Sequence, residues 1–167
     1  MASLGPLQDR AMHTLRFFVP TVTLAALLTT AVLAHKGATG VVKERMDQMG
    51  TIAKSMKAMG AMFKGAVPYD ADTVAELSRK IAGLGGDRLT AIFPDGSLQH
   101  PSEALPTVWS DWDRFSQLAE KMKVAASALA EGAGNDREGA AAHSPDALFR
   151  ELASTCKSCH QDFRIKK

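Results

Sequence analysis

The chain has 167 residues and a mass of 17.8 kDa, room for about one domain at roughly 100–200 residues per domain. Hydrophobic residues at 46% and charged ones at 23% argue against disorder, a collagen-like chain and a multi-span membrane protein. Aromatics at 6%, two cysteines and a net charge of +2 give no support to a nucleic-acid binder built on stacking, a disulfide-dense scaffold or a polyanion partner.

At the amino end, Arg10 and Arg16 precede an apolar run from Phe17 to Val32, and Val32-Leu33-Ala34 supplies small residues for a cleavage site after Ala34. This is the pattern of a secretory signal. The run is 16 residues long and contains Pro20, short of the roughly 20 residues a spanning helix needs. Residues 1–34 are therefore expected to be a cleaved signal peptide and 35–167 the mature domain. Loss of Asp9, Arg10 and Arg16 leaves 18 basic and 17 acidic residues, a nearly neutral exported protein.

Four helical segments follow, and no stretch alternates apolar and polar long enough for a sheet. In the first, over 39–64, Val42, Arg45, Met49, Ile52, Met56, Met59 and Phe63 recur at alternating steps of three and four and share one face. Arg45 is the charged member of that stripe. Pro68-Tyr69-Asp70 breaks the chain, with Asp70 as N-cap of a second helix carrying Val74, Leu77, Ile81 and Leu84 and ending at Gly85-Gly86. Asp87 to Leu105, with Pro94-Asp95-Gly96 and Pro101, is a long connection of the kind that is functional or packed over something. Pro106 opens a third helix with Val108, Trp112, Phe115, Ala119, Met122, Ala126 and Leu129. Ser144 caps a fourth, with Pro145 in its first turn and Phe149, Leu152, Cys156, Cys159 and Phe163 on its stripe. Four amphipathic helices bury these stripes most simply as an all-α, antiparallel four-helix bundle.

Cys156-Lys157-Ser158-Cys159-His160 is the attachment signature of c-type haem. On a helix the two sulfurs lie one turn apart, each placed to form a thioether with a vinyl group, and His160 brings an imidazole to the iron. Three rivals use the same residues. A thiol-disulfide site normally opens a helix in a βαβ setting, and no strand pattern precedes this one. Zinc would have to recruit His35, His100 or His143 from loops. A plain bundle with a structural disulfide leaves the adjacent histidine unexplained. The haem reading also accounts for Arg45, because a buried cation requires a partner and a haem propionate supplies one. Met49, one turn further along that face, is a candidate second axial ligand; the bland reading is core filling, since Met46, Met56, Met59 and Met62 share its helix.

Three groups of residues together resemble the class II c-type cytochromes, that is the cytochrome c′ family with its low-spin c-556 branch. They are Val41-Val42-Lys43-Glu44-Arg45 with Met49, Phe93-Pro94 and Leu105-Pro106 with Trp109, and the haem motif near the carboxyl end followed by Phe163-Arg164. The resemblance covers nearly all of the mature chain and implies one haem c, held by Cys156 and Cys159. It also matches Met49 to the iron ligand of the low-spin branch. Arg164 matches a basic position near the proximal histidine of high-spin members, whose open distal face binds nitric oxide. The Met-rich segment Met56 to Met62 with Gly65 looks more like the c-556 type.

The expected protein is a periplasmic, low-spin electron carrier with His160 and Met49 as axial ligands and Arg45 on a propionate, and no enzyme in itself. The alternative is a five-coordinate protein that binds or buffers nitric oxide and other small gases. Its partners are redox proteins the sequence does not identify, with a homodimer through the first two helices left open. Neither nucleic acid nor, after signal cleavage, a membrane is expected as a partner.

Overall fold

Side-chain caps open two of the four long helices, and the other two start without one. In the computed structural model, which describes residues 37–137 and 142–166, α1 spans Gly40–Phe63 and α2 spans Ala71–Ala82. Asp70 caps α2, its carboxylate accepting from the Thr73 amide at 2.6 Å. The short α3 (Asp87–Thr90) and α4 (Thr107–Ser110) lie before α5 (Trp112–Gly132). The last helix, α6 (Pro145–Phe163), opens on Ser144, whose hydroxyl accepts from the Ala147 amide, with Pro145 in the first turn. The expected signal peptide, its cleavage site and His35 lie outside the described residues.

The four long helices form an antiparallel bundle in which α1 packs on α2, α2 on α5 and α5 on α6. Among the described residues there is no strand, only an isolated bridge between Ala104 and Arg164. Met59, Val74, Ile81, Val108, Ala126, Leu129 and Leu152 are fully buried at the centre, where a large aliphatic side chain contributes about 1.5–3 kcal/mol. Gly85 and Gly86 bring the end of α2 against α5. A Cβ at Gly85 would sit 2.8 Å from that of Lys123, and Gly86 has φ +57° while its amide donates to the Ala119 carbonyl at 3.0 Å.

Two expectations need correction. The third helical segment is not continuous, because Asp111 leaves the helical conformation (φ −129°, ψ 53°) and separates α4 from α5. Trp112 therefore lies exposed at the start of α5, whereas Val108 and Phe115 on either side are buried. On α6 it is Leu148 that is buried, with Phe149 half-buried beside it. Phe149 instead closes the end of the bundle, stacked on Phe63 at 4.4 Å between ring centroids.

At that same end, Arg137 donates two hydrogen bonds to Asp146, at 2.8 and 3.1 Å, and lies over the rings of Tyr69 (4.3 Å) and Phe63 (5.3 Å). Tyr69 donates its hydroxyl to the Ala133 carbonyl at 2.7 Å. The end of α1, the α1–α2 turn and the start of α6 are thus joined by one aromatic and ionic cluster.

Candidate cofactor site

The other end of the bundle holds the residues singled out in the sequence. Arg45, in the second turn of α1, is 4% exposed. Its guanidinium lies 4.4 Å from the centroid of the Phe93 ring. It donates to the Ser97 carbonyl (2.8 Å), the Ser97 hydroxyl (2.5 Å) and the Ser102 hydroxyl (3.3 Å). Ser97 donates its own hydroxyl to the Pro94 carbonyl, and Trp109 fixes Phe93 by donating its indole N–H to that residue's carbonyl at 3.0 Å. The long connection is thus packed over Arg45. Ser97 and Ser102 carried no signal in the sequence, because a serine in a turn reads as turn chemistry until its distant partner is known.

These contacts do not complete the arginine. Nε is buried with no hydrogen-bond partner, and no described carboxylate forms an ion pair with it. Burial pushes its pKa below the usual value, the signature of a cation held from water without a neutralising charge. A carboxylate arriving at this position would satisfy both needs, so the residue fits a haem propionate.

Cys156, Cys159 and His160 occupy the last two turns of α6. Both cysteines are half-buried and unbridged. Burial raises both thiol pKa values, that of Cys159 to about 11 with Cys156 and Asp162 adding to the effect. Such thiols stay protonated at neutral pH, which disfavours the thiolate chemistry of disulfide exchange. Among the described residues no three His, Cys, Asp or Glu side chains cluster to hold a metal ion, so His100 and His143 do not assemble a zinc site with the motif. The thiols instead present two sulfurs one helical turn apart on a part-buried face, as addition to two vinyl groups requires.

His160 is exposed, yet desolvation of its ring pushes its pKa down, Arg164 pushes it further down and Glu103 opposes both. The neutral imidazole favoured by this balance is the form that ligates iron. Met49 is half-buried and packs against the same core cluster as Cys159. The carboxyl end of α6 is pinned by the connection after Arg45's partners. The Leu105 amide donates to the Phe163 carbonyl and the Ile165 amide to the Glu103 carbonyl, each at 2.9 Å. Thr107 donates its hydroxyl to the Asp162 carbonyl at 3.0 Å. One connection therefore contacts Arg45 on α1 and the residues just past His160 on α6. Glu103 was not singled out by the sequence, since its partner lies 61 positions away.

A family model described as Cytochrome C′ matches residues 40–164. The chain is 31% identical over 147 residues to cytochrome c-556 of Agrobacterium fabrum, covering 88% of this chain and 96% of that one. It is also 31% identical over 148 residues to cytochrome c′ of Rhodopseudomonas palustris, covering 87% and 95%. Among solved structures, cytochrome c prime from Shewanella frigidimarina superposes with a TM-score of 0.66 at 27% identity, covering 75% of this chain and 94% of that one. A nitric oxide complex of a cytochrome c prime variant from Alcaligenes xylosoxidans superposes with a TM-score of 0.63 at 26% identity, covering 75% and 94%.

Proposed function

Because the chain belongs to the cytochrome c′ family, and is thus a monohaem cytochrome with covalently bound haem c, we propose that it is a periplasmic electron carrier with low-spin iron. Cys156 and Cys159 are its covalent anchors, His160 and Met49 its axial ligands, and Arg45 its propionate partner. When bound, the haem supplies a one-electron couple at iron. The chain's own residues govern how that couple behaves.

The imidazole of His160 is held neutral by desolvation and by Arg164. The Met49 thioether, if bound to the iron, would raise the reduction potential and take the place a small gas would otherwise occupy. Arg45, held by Phe93, Ser97 and Ser102, offers a buried cation whose Nε–H a propionate would satisfy. The observation that carries the low-spin reading is the inward placement of Met49, on the helix of Arg45 and against the same core cluster as Cys159.

Export rests on the amino-terminal pattern. Among the described residues no helix is long and apolar enough to cross a membrane.

The second reading, a five-coordinate iron that binds nitric oxide, draws support from the charge beside His160 and from the nitric oxide complex of the Alcaligenes relative. Substitution separates the two. Met49→Ala is expected to convert the spectrum from low-spin to high-spin and to open the reduced protein to carbon monoxide. An unchanged spectrum removes Met49 from the iron.

A further inference from the structure

Arg164 is paired beyond His160 with a carboxylate, that of Glu103, to which the proposed function gives no role. We propose that Glu103 is a positioning residue of the haem site, which holds and neutralises Arg164 beside His160 and thereby sets the reduction potential. This rests on the reading of His160 as iron ligand.

Arg164 follows α6 directly and lies one helical turn past His160 in sequence. Its Nε and one terminal nitrogen both donate to the same oxygen of Glu103, at 2.8 and 2.5 Å. The pairing is not a chance meeting of two long side chains. Ala104 and Arg164 form a backbone bridge, flanked by the hydrogen bonds from Leu105 to Phe163 and from Ile165 to Glu103, so the two backbones are locked in register before the side chains meet.

Stability does not account for this arrangement. The side chains remain 44% (Arg164) and 34% (Glu103) exposed, and ion pairs of that exposure contribute little to folding. Their charge acts further than their contact does. The bridge holds both at the stretch that leaves α6 four residues past His160.

Oxidation adds one positive charge at the iron, so a cation nearby disfavours the oxidised form and raises the potential, while an anion lowers it. Paired, the two largely cancel. Unpaired, each acts alone, and Arg164 also loses the bonds that fix its distance from His160.

The test is a double-mutant cycle on the haem-loaded protein, read as midpoint potential at fixed pH and ionic strength. Glu103→Gln is expected to raise the potential, Arg164→Gln to lower it, and the double variant to return close to the parent. Arg164→Lys, which keeps the charge, is expected to stay near the parent, and the single-variant shifts are expected to shrink as salt is added. A purely structural clamp predicts otherwise, since loosening it from either side disturbs the site in the same direction. Shifts of the same sign, or no shift in either Gln variant, overturn the proposal. Thermal melts of the same variants read stability separately and are expected to move little. If the parent chain matures without covalent haem, it is the proposed function that fails, because no midpoint exists to compare.

Discussion

The two ends of the bundle solve the same problem differently. At the end formed by Phe63, Tyr69, Arg137, Asp146 and Phe149, every polar group described above meets a partner from the chain itself: Arg137 has its carboxylate and Tyr69 its carbonyl, over stacked aromatic rings. At the other end Arg45 is just as firmly placed, yet it has serines and a carbonyl in place of a carboxylate and keeps one buried N–H unmatched. Buried charges are normally paired, because the cost of leaving one unpaired runs to several kcal/mol. The first end is therefore closed by the chain's own residues, whereas the second keeps a buried N–H that an anionic group would satisfy, as the proposed function requires. This contrast supports the proposed site independently of the Cys-x-x-Cys-His motif, and both lie where the long connection joins α1 to the end of α6.

If the second end depends on the haem, the largest effects come from denying it. Replacing Cys156 and Cys159 together by alanine is expected to abolish covalent attachment, so that acidified acetone extracts whatever haem remains. The haem-free chain is expected to melt without a cooperative transition, because a group that binds only the folded state contributes its binding energy to folding. A native-like apoprotein melt would erase the contrast between the ends. At the end closed by the chain's own residues, Phe149→Ala is expected to cost about 1–2 kcal/mol, because a half-buried ring loses its stack with Phe63 and part of its packing, measured by denaturant titration, while the visible spectrum stays as in the parent. Arg45→Gln is expected to lower the midpoint potential, because an uncompensated propionate favours the oxidised haem, with little change in the low-spin spectrum.

The smallest effect concerns pH. The hydrogen bonds from Arg137 hold the Asp146 carboxyl below its usual pKa. A folded-state pKa below the unfolded one contributes stability that is complete above the unfolded value, about 3.9, and is lost as pH falls through the folded value. Stability measured below about pH 4 is therefore expected to fall less steeply in Asp146→Asn than in the parent.

What the sequence made legible was local. The caps at Asp70 and Ser144 and the apolar stripes each depend on residues within a turn or two, and the four long helices follow from them, although α2 ends at Ala82 and not at Gly85-Gly86. The motif was legible for the same reason, since its chemistry is written in five consecutive residues. Arg45 announced itself as a charge on an apolar stripe, but Phe93, Ser97 and Ser102 as its partners did not, because a connection's path is set by what it packs against. The break at Asp111 was hidden because Val108, Trp112 and Phe115 keep the helical period across it. Glu103 was hidden because only the bridge between Ala104 and Arg164 brings it to its partner.

The proposed ligation by His160 and Met49 is tested most directly by visible spectra of the haem-loaded protein, oxidised and reduced, followed by carbon monoxide added to the reduced form. This ligation predicts sharp reduced bands, a weak far-red methionine-to-iron band when oxidised, and indifference to the gas. A broad high-spin spectrum that shifts on adding carbon monoxide would contradict it and assign the site to gas binding.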